Sequence, residues 1–142
     1  MRFLHTSDWH LGRSLHQLDL GGAQQEFVAA IRDLLPIEVF MEKLHFSCAA
    51  DRDCMRRIDA LDREQVMVIG AEAHVCVLQT ALGLQATGKE VYLVADAVSS
   101  RSPRDVELAL ERMRAEGVRV VSREMVVFEW LHQSGTERFR EI

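Results

Sequence analysis

The hydrophobic pattern is most regular in the second half of the chain, where short apolar runs alternate with amphipathic segments. The runs have the length and continuity of strands buried on both faces, and they span residues 65–70, 90–95 and 118–121. Apolar residues recur at the spacing of one helix face over residues 75–86, 103–116 and 124–132. This alternation of strand and helix predicts a three-layer, Rossmann-like α/β/α fold around a mainly parallel sheet.

The first 64 residues have a weaker pattern. Strands are predicted at residues 2–6 and 38–41, and helices at 22–35 and 53–61. No periodicity is evident between Gly12 and Gly22, so a junction between two kinds of sequence is expected there.

Length and composition favour a single soluble domain over residues 1–142, with 48% hydrophobic and 27% charged residues. The apolar runs are far shorter than the roughly 20 residues that span a membrane. No secretory signal is evident, and three irregularly spaced cysteines fit reduced thiols, so a cytoplasmic location is expected. The net charge of -5 disfavours nucleic-acid binding, which depends on clustered lysine and arginine.

Cys76 is the residue whose position most clearly suggests chemistry. It follows the 65–70 strand and opens the next predicted helix, at the edge of the sheet where open α/β folds bind ligands. The positive end of a helix favours the thiolate form of cysteine, and unpaired backbone N–H groups there can stabilise an oxyanion. Its spacing alone favours the alternative, a small side chain buried on an apolar helix face, because free cysteine is among the most buried residue types. No metal site is predicted, because His45, Cys48 and Cys54 lack the spacing of zinc ligands.

Four segments, taken in order, resemble those of the isochorismatase-like cysteine hydrolases, which include the nicotinamidases. They are residues 42–47 (EKLHFS), 70–81 (GAEAHVCVLQTA), 94–101 (VADAVSSR) and 124–129 (EMVVFE). The resemblance covers about residues 37–142. It implies hydrolysis of a small amide or related C–N bond without a cofactor, in a protein that is typically oligomeric.

The same resemblance assigns roles to individual residues. Cys76 is expected to be the nucleophile and Lys43 the cation that stabilises its thiolate. The backbone N–H groups of Glu72 and Cys76 would form the oxyanion hole, with a cis peptide bond between Ala71 and Glu72. His74, beside the nucleophile, is a candidate for substrate contact, although a solvent-facing or supporting role fits it equally well.

The N-terminal stretch, about residues 1–20, resembles a different family. Its sequence MRFLHTSDWHLGRS is similar to the start of the SbcD-type nuclease subunit, a metallophosphoesterase of DNA-end processing. That resemblance would make Asp8 and His10 the first two ligands of a two-metal site. The later motifs of that family have no counterpart in this sequence, so neither a metal centre nor nuclease activity is expected.

Asp8 has a second possible role. The isochorismatase-like triad needs an aspartate at the end of its first strand, and residues 2–6 could supply that strand with Asp8 near its end. The alternative is a surface aspartate in a turn. Because the family's following helix and strand are not intact, the domain is expected to be truncated in its N-terminal half.

Three hypotheses follow for the whole chain. The first is a cysteine-dependent hydrolase acting on a small molecule, and whether its site is complete enough for catalysis is left open. The second is a non-catalytic remnant or interaction subunit of the same fold, and the third is a fragment of an SbcD-like nuclease. Self-association into a homo-oligomer is also expected, because the segment 124–132 is very apolar for an exposed helix, and no membrane partner is predicted.

Overall fold

The computed structural model describes residues 14–15, 18–19, 41 and 43–141, and its centre is a parallel sheet of three strands. The strands are β3 (Gln65–Gly70), β4 (Glu90–Val98) and β5 (Arg119–Val121), and β4 lies between the other two. Two short strands, β1 (Ser14–Leu15) and β2 (Leu18–Asp19), form a separate antiparallel pair. The strand predicted at 2–6 and the helix predicted at 22–35 lie outside the described residues, as does the strand predicted at 38–41 except for Met41, which is not in a strand.

Helices connect and flank these strands. They are α1 (Arg52–Ala60), α2 (Leu78–Ala86), α3 (Pro103–Ala115), α4 (Arg123–Leu131) and the single-turn α5 (Glu137–Arg140). Side-chain caps begin α1, α3 and α4, where Asp51, Ser102 and Ser122 each accept a hydrogen bond from a backbone N–H of the first turn. Pro103 occupies the first turn of α3, as its sequence position predicts.

The two faces of the sheet are covered by different helices, which gives the three predicted layers. Alternating side chains of β3 point to opposite sides: Val66 and Val68 belong to the larger core, whereas Met67 and Ile69 contact the smaller one. The larger core contains residues of α1, α2 and α3, with Ile58, Leu84 and Met113 among the most buried. The smaller core lies under Val126 of α4.

The structure confirms the predicted order of elements from α1 onward and shifts several of their ends. Strand β4 continues to Val98, three residues past the predicted end. Helical backbone begins at Ala73 rather than Val75, with a π-helical turn, Ala73–Val77, leading into α2. Helix α5 and the pair β1–β2 were not predicted. Within the described residues, no helix is both long and apolar enough to cross a membrane.

Candidate active site

Cys76 lies just beyond the carboxyl end of β3, in the turn that joins this strand to α2. The strand ends at Gly70, Glu72 takes a left-handed backbone conformation (φ 57°, ψ 55°), and the π-helical turn follows. Cys76 is the fourth residue of that turn and its side chain is only 2% exposed. The structure therefore places Cys76 at the expected edge of the sheet, but deeper in the helical turn than predicted.

The carbonyl oxygen of Glu72 is the point on which this turn closes. It accepts hydrogen bonds from the backbone N–H groups of Val75, Cys76 and Val77, with N···O distances of 2.9, 3.1 and 3.5 Å. A carbonyl oxygen has two lone pairs, so three donors cannot all bond to it well. The Cys76 N–H is expected in the oxyanion hole, but in this conformation it donates to the Glu72 carbonyl. That carbonyl is shared among three donors.

The prediction of a cis peptide bond between Ala71 and Glu72 is wrong for this structure. No cis bond occurs among the described residues, which include both of these. The chain instead reverses from strand to helix through the positive φ of Glu72, a conformation that costs a residue with a β-carbon about 1–2 kcal/mol. A trans peptide with a left-handed residue therefore makes the turn for which the cis bond was expected.

The loop carrying Lys43 docks on the helix that the Cys76 turn begins. Ser47 Oγ donates to the carbonyl of Gln79 at 3.0 Å, and the N–H of Cys48 donates to Thr80 Oγ1 at 3.1 Å. Gly83 permits this close approach, because a β-carbon there would stand 2.6 Å from that of Ala49.

The Lys43 ammonium group is held within its own loop, where it donates to the carbonyls of His45 and Phe46 at 2.8 and 2.9 Å. The structure thus brings the Lys43 segment to α2, the helix that follows the Cys76 turn. The side chain is anchored by backbone oxygens, so its role towards Cys76 stays a prediction.

His74 belongs to a cluster of polar side chains. Its Nδ1 atom is 2.9 Å from Ser100 Oγ, and its Nε2 atom is 3.2 Å from a terminal nitrogen of Arg101. The carboxylates of Glu72 and Asp105 lie 3.7 and 3.9 Å from the ring. These contacts favour the supporting role over substrate contact, since they occupy both ring nitrogens.

The other two cysteines are buried in a different environment. Cys48 and Cys54 lie where the Lys43 loop enters α1, and neither forms a disulfide bond among the described residues. Burial raises the pKa of Cys54 to about 12, helped by its neighbours Cys48 and Asp51. Cys54 is therefore a poor nucleophile at neutral pH. No metal-binding group of histidine, cysteine or carboxylate residues occurs in the described part of the chain.

Asp8 and His10 lie outside the described residues, so neither the triad role nor the metal role is tested. Asp96, near the carboxyl end of β4, accepts hydrogen bonds from the backbone and side-chain nitrogens of Arg123 at 2.8 and 3.1 Å. It ties β4 to the start of α4, as a residue that orders a loop does. Sequence reasoning missed the contacts of Arg101 and the docking role of Gly83, since neither is visible from local spacing.

A model of the isochorismatase domain matches residues 4–125. The chain is 34% identical over 125 residues to a secreted isochorismatase effector, Isc1, of Phytophthora sojae. It is 33% identical over 132 residues to isochorismatase domain-containing protein 1 of Salmo salar. These alignments cover 87% and 93% of this chain but 59% and 42% of the relatives, so the chain spans about half their length.

Two solved structures are also similar to this chain. The MAR1 ribonuclease of Caenorhabditis elegans matches with a TM-score of 0.61 at 33% identity, over 73% of this chain and 56% of that one. The nicotinamidase PncA of Bacillus subtilis matches with a TM-score of 0.55 at 26% identity, over 58% of this chain and 46% of that one.

The family match begins at residue 4, whereas the resemblance in the sequence was placed from about residue 37. The similarity of residues 1–20 to an SbcD-type subunit stays a prediction. Family match, relatives and fold agree, and this chain belongs to the isochorismatase family.

Proposed function

We propose that the protein is a hydrolase that uses Cys76 to cleave a small amide or a related C–N bond. The observation that carries the proposal is the position of Cys76, in an irregular turn at the carboxyl end of β3. Ligands of open α/β sheets bind at this edge. Membership of a family whose solved structures include a nicotinamidase supports the same class of reaction.

In the proposed reaction, the Cys76 thiolate attacks the carbonyl carbon of the substrate and forms a C–S bond. The carbonyl electrons move to oxygen, where the N–H of Glu72 would donate a hydrogen bond. The N–H of Cys76 would join it once the substrate oxygen replaces the crowded Glu72 carbonyl as its acceptor. The C–N bond then breaks, and the leaving nitrogen takes the proton that the thiol released. Water attacks the resulting thioester, which yields the carboxylic acid and restores the thiol.

Two further groups complete the proposal. Lys43 would favour the thiolate electrostatically, and its support is the docking of its loop on α2. Asp8 would carry the proton from the thiol to the leaving nitrogen, and its support is only the sequence of residues 2–8.

Ammonia release from a panel of small primary amides, nicotinamide among them, tests this function. The wild-type protein should release ammonia, and Cys76→Ala should lower the rate at least about a thousandfold. Cys48→Ala, which also removes a buried thiol, is the matched control and should retain activity. An equally active Cys76→Ala variant would exclude a cysteine nucleophile. Inactivity of a folded wild-type protein on the whole panel would favour the non-catalytic remnant.

We also propose that the protein associates with itself through α4. Met125, Phe128 and Trp130 are 50%, 47% and 37% exposed, which is unusual for three large apolar side chains on one short helix. Static light scattering after size exclusion should give a mass above the 16.2 kDa of one chain. Phe128→Glu should shift the mass towards a single chain, and Leu108→Glu, at an exposed apolar position on α3, should not. A folded monomer at micromolar concentration would exclude the association.

A further inference from the structure

Five polar side chains from three segments meet beside the turn that presents Cys76. Glu72 and His74 come from the turn itself, Ser100 and Arg101 from the loop after β4, and Asp105 from the first turn of α3. We call these five residues the Glu72–Arg101 network. Backbone hydrogen bonds join the same two loops, from the N–H of Ala73 to the carbonyl of Ser99 at 2.8 Å and from the N–H of Ser99 to the carbonyl of Gly70 at 3.2 Å.

The hydrogen-bond chemistry of the network fixes the role of each partner of His74. An arginine side chain has donors only, so in the 3.2 Å contact Arg101 donates to His74 Nε2. Nδ1 then carries the ring hydrogen and donates to Ser100 Oγ at 2.9 Å. Arg101 is thereby the cation of the network, and it faces Glu72 as well, with Nε 3.4 Å from Oε2.

Glu72 links this network to the nucleophile. Its carbonyl accepts the N–H of Cys76 at 3.1 Å, and its backbone is left-handed. Its Oε2 atom is buried and accepts no hydrogen bond from the described residues, so the ionic contact with Arg101 at 3.4 Å is its main compensation. A strained backbone and a poorly satisfied buried carboxylate at one residue persist only where the surroundings hold them.

We propose that Glu72 and Arg101 act as a pair of positioning residues for Cys76, fixing its turn and balancing the charge that its thiolate meets. This inference rests on the proposed role of Cys76 as nucleophile. The Glu72 carboxylate belongs to the residue whose carbonyl accepts the Cys76 N–H, just before the helical turn, and would oppose a negative charge on sulfur. The Arg101 guanidinium offsets that carboxylate, so that the pair leaves little net charge beside the thiolate.

Charge-removing variants test this balance. The alkylation rate of Cys76 by iodoacetamide is followed by peptide mass spectrometry from pH 5 to 10, and the pH of half-maximal rate is determined. Arg101→Gln should raise that pH by about half a unit or more, because Glu72 is then uncompensated. Glu72→Gln should lower it by a similar amount, and the double variant should return close to the wild-type value.

A matched control lies three residues after Arg101, in the first turn of α3. Among the described residues, Arg104 pairs with the exposed Glu107, at 3.1 Å, and not with the network. Arg104→Gln removes the same charge outside the network and should leave the profile unchanged. Arg101 is 50% exposed and Glu72→Gln keeps the size of the side chain, so these variants should remain folded, as thermal unfolding would verify. Arg101→Lys, which keeps the positive charge, should recover part of the shift caused by Arg101→Gln.

Opposite shifts that cancel in the double variant support the proposal. Profiles that coincide with the wild type, or shifts in the same direction with reduced stability in both single variants, would overturn it. Failure of the proposed function has a separate signature, in which Cys76 of the wild type is not the fastest-labelled thiol. If Cys76 labels fastest and the variants leave its profile unmoved, only the charge balance is rejected.

Discussion

The strands of the described sheet feed their helices in two different ways. After β4 and β5, an extended serine caps the next helix, with Ser102 Oγ accepting from the N–H of Asp105 and Ser122 Oγ from that of Met125. After β3, the cap position holds Glu72 in a left-handed conformation without a side-chain cap, and a π-helical turn follows. The first two junctions satisfy helix-end donors at little conformational cost, whereas the third keeps strain beside a cysteine.

This difference separates stability from proposed chemistry. Serine caps satisfy backbone donors and stabilise a helix by about 1 kcal/mol. A π-helical turn and a left-handed glutamate are features that persist mainly at functional sites. Substitutions in the junction after β3, and at Arg101, which contacts that junction from the loop after β4, should therefore change reactivity, whereas loss of either serine cap should change stability alone.

The largest stability effect is expected where the Lys43 loop docks against the helix of the strained junction. Gly83→Ala adds a β-carbon that would lie 2.6 Å from Ala49 Cβ, so loop and helix must separate. Helix propensity alone favours alanine by about 1 kcal/mol, but the overlap should make the net effect a destabilisation of about 1–3 kcal/mol. Urea unfolding measures it. A more stable variant would show that the loop does not press on α2.

Removing an ordinary cap should have the next largest effect. Ser102→Ala loses the side-chain acceptor of α3 and should lower the free energy of unfolding by about 1 kcal/mol. The alkylation rate of Cys76 should stay within twofold of the wild type. A large fall in the alkylation rate of Cys76 in Ser102→Ala, measured at the same protein concentration as the wild type, would contradict the proposed difference between the two kinds of junction.

A left-handed residue at an ordinary helix end offers a sharper comparison with Glu72. His132 follows α4 with φ 56° and has no described partner for its exposed side chain. His132→Gly should stabilise the fold by about 0.5 kcal/mol, since glycine adopts this conformation without strain. Glu72→Gly should gain less, because it also loses the contacts with Arg101 and His74. Equal gains in thermal unfolding would mean that those contacts contribute nothing.

The smallest effect concerns pH at the junction after β5. Hydrogen bonding from the Arg123 backbone, and then from its side chain, lowers the pKa of Asp96 from its ordinary value of 3.8. A depressed pKa in the folded state stabilises the fold above the unfolded value, and this stabilisation is lost as pH falls below about 4. Asp96→Asn keeps an acceptor but cannot titrate, so its unfolding free energy should fall less steeply on acidification. Parallel curves for both proteins would contradict this contribution.

The sequence predicts the fold well because local signals and burial agree from residue 52 onward. The continuous apolar runs at 65–70 and 118–121 predict buried strands. Ser102-Pro103 predicts the start of α3, because serine caps a helix and proline fits its first turn. The end of β4 differs from the prediction because Asp96 interrupts the apolar run, whereas the strand continues to Val98 through pairing with Gly70. The turn at Ala71 and Glu72 was expected to be cis, because a family pattern does not reveal that a left-handed residue can make the same reversal.

Only those features of the site that follow from the order of strands and helices could be predicted from the sequence. Cys76 could be placed because it follows a buried strand directly. The contacts of Arg101 with Glu72 and His74 join segments 27 and more residues apart, and no local pattern reports them. The role of Gly83 likewise becomes evident only from the close packing of Ala49 against it in the structure.

Competitive labelling of the three thiols tests the central claim most directly. All three are buried, so exposure alone predicts no preference, and the raised pKa of Cys54 leaves almost none of it as thiolate at pH 7. Iodoacetamide at pH 7, with peptide mass spectrometry of the native protein, should label Cys76 at least about tenfold faster than Cys48 or Cys54. Faster labelling of Cys48 or Cys54 would contradict the assignment of Cys76 as the nucleophile.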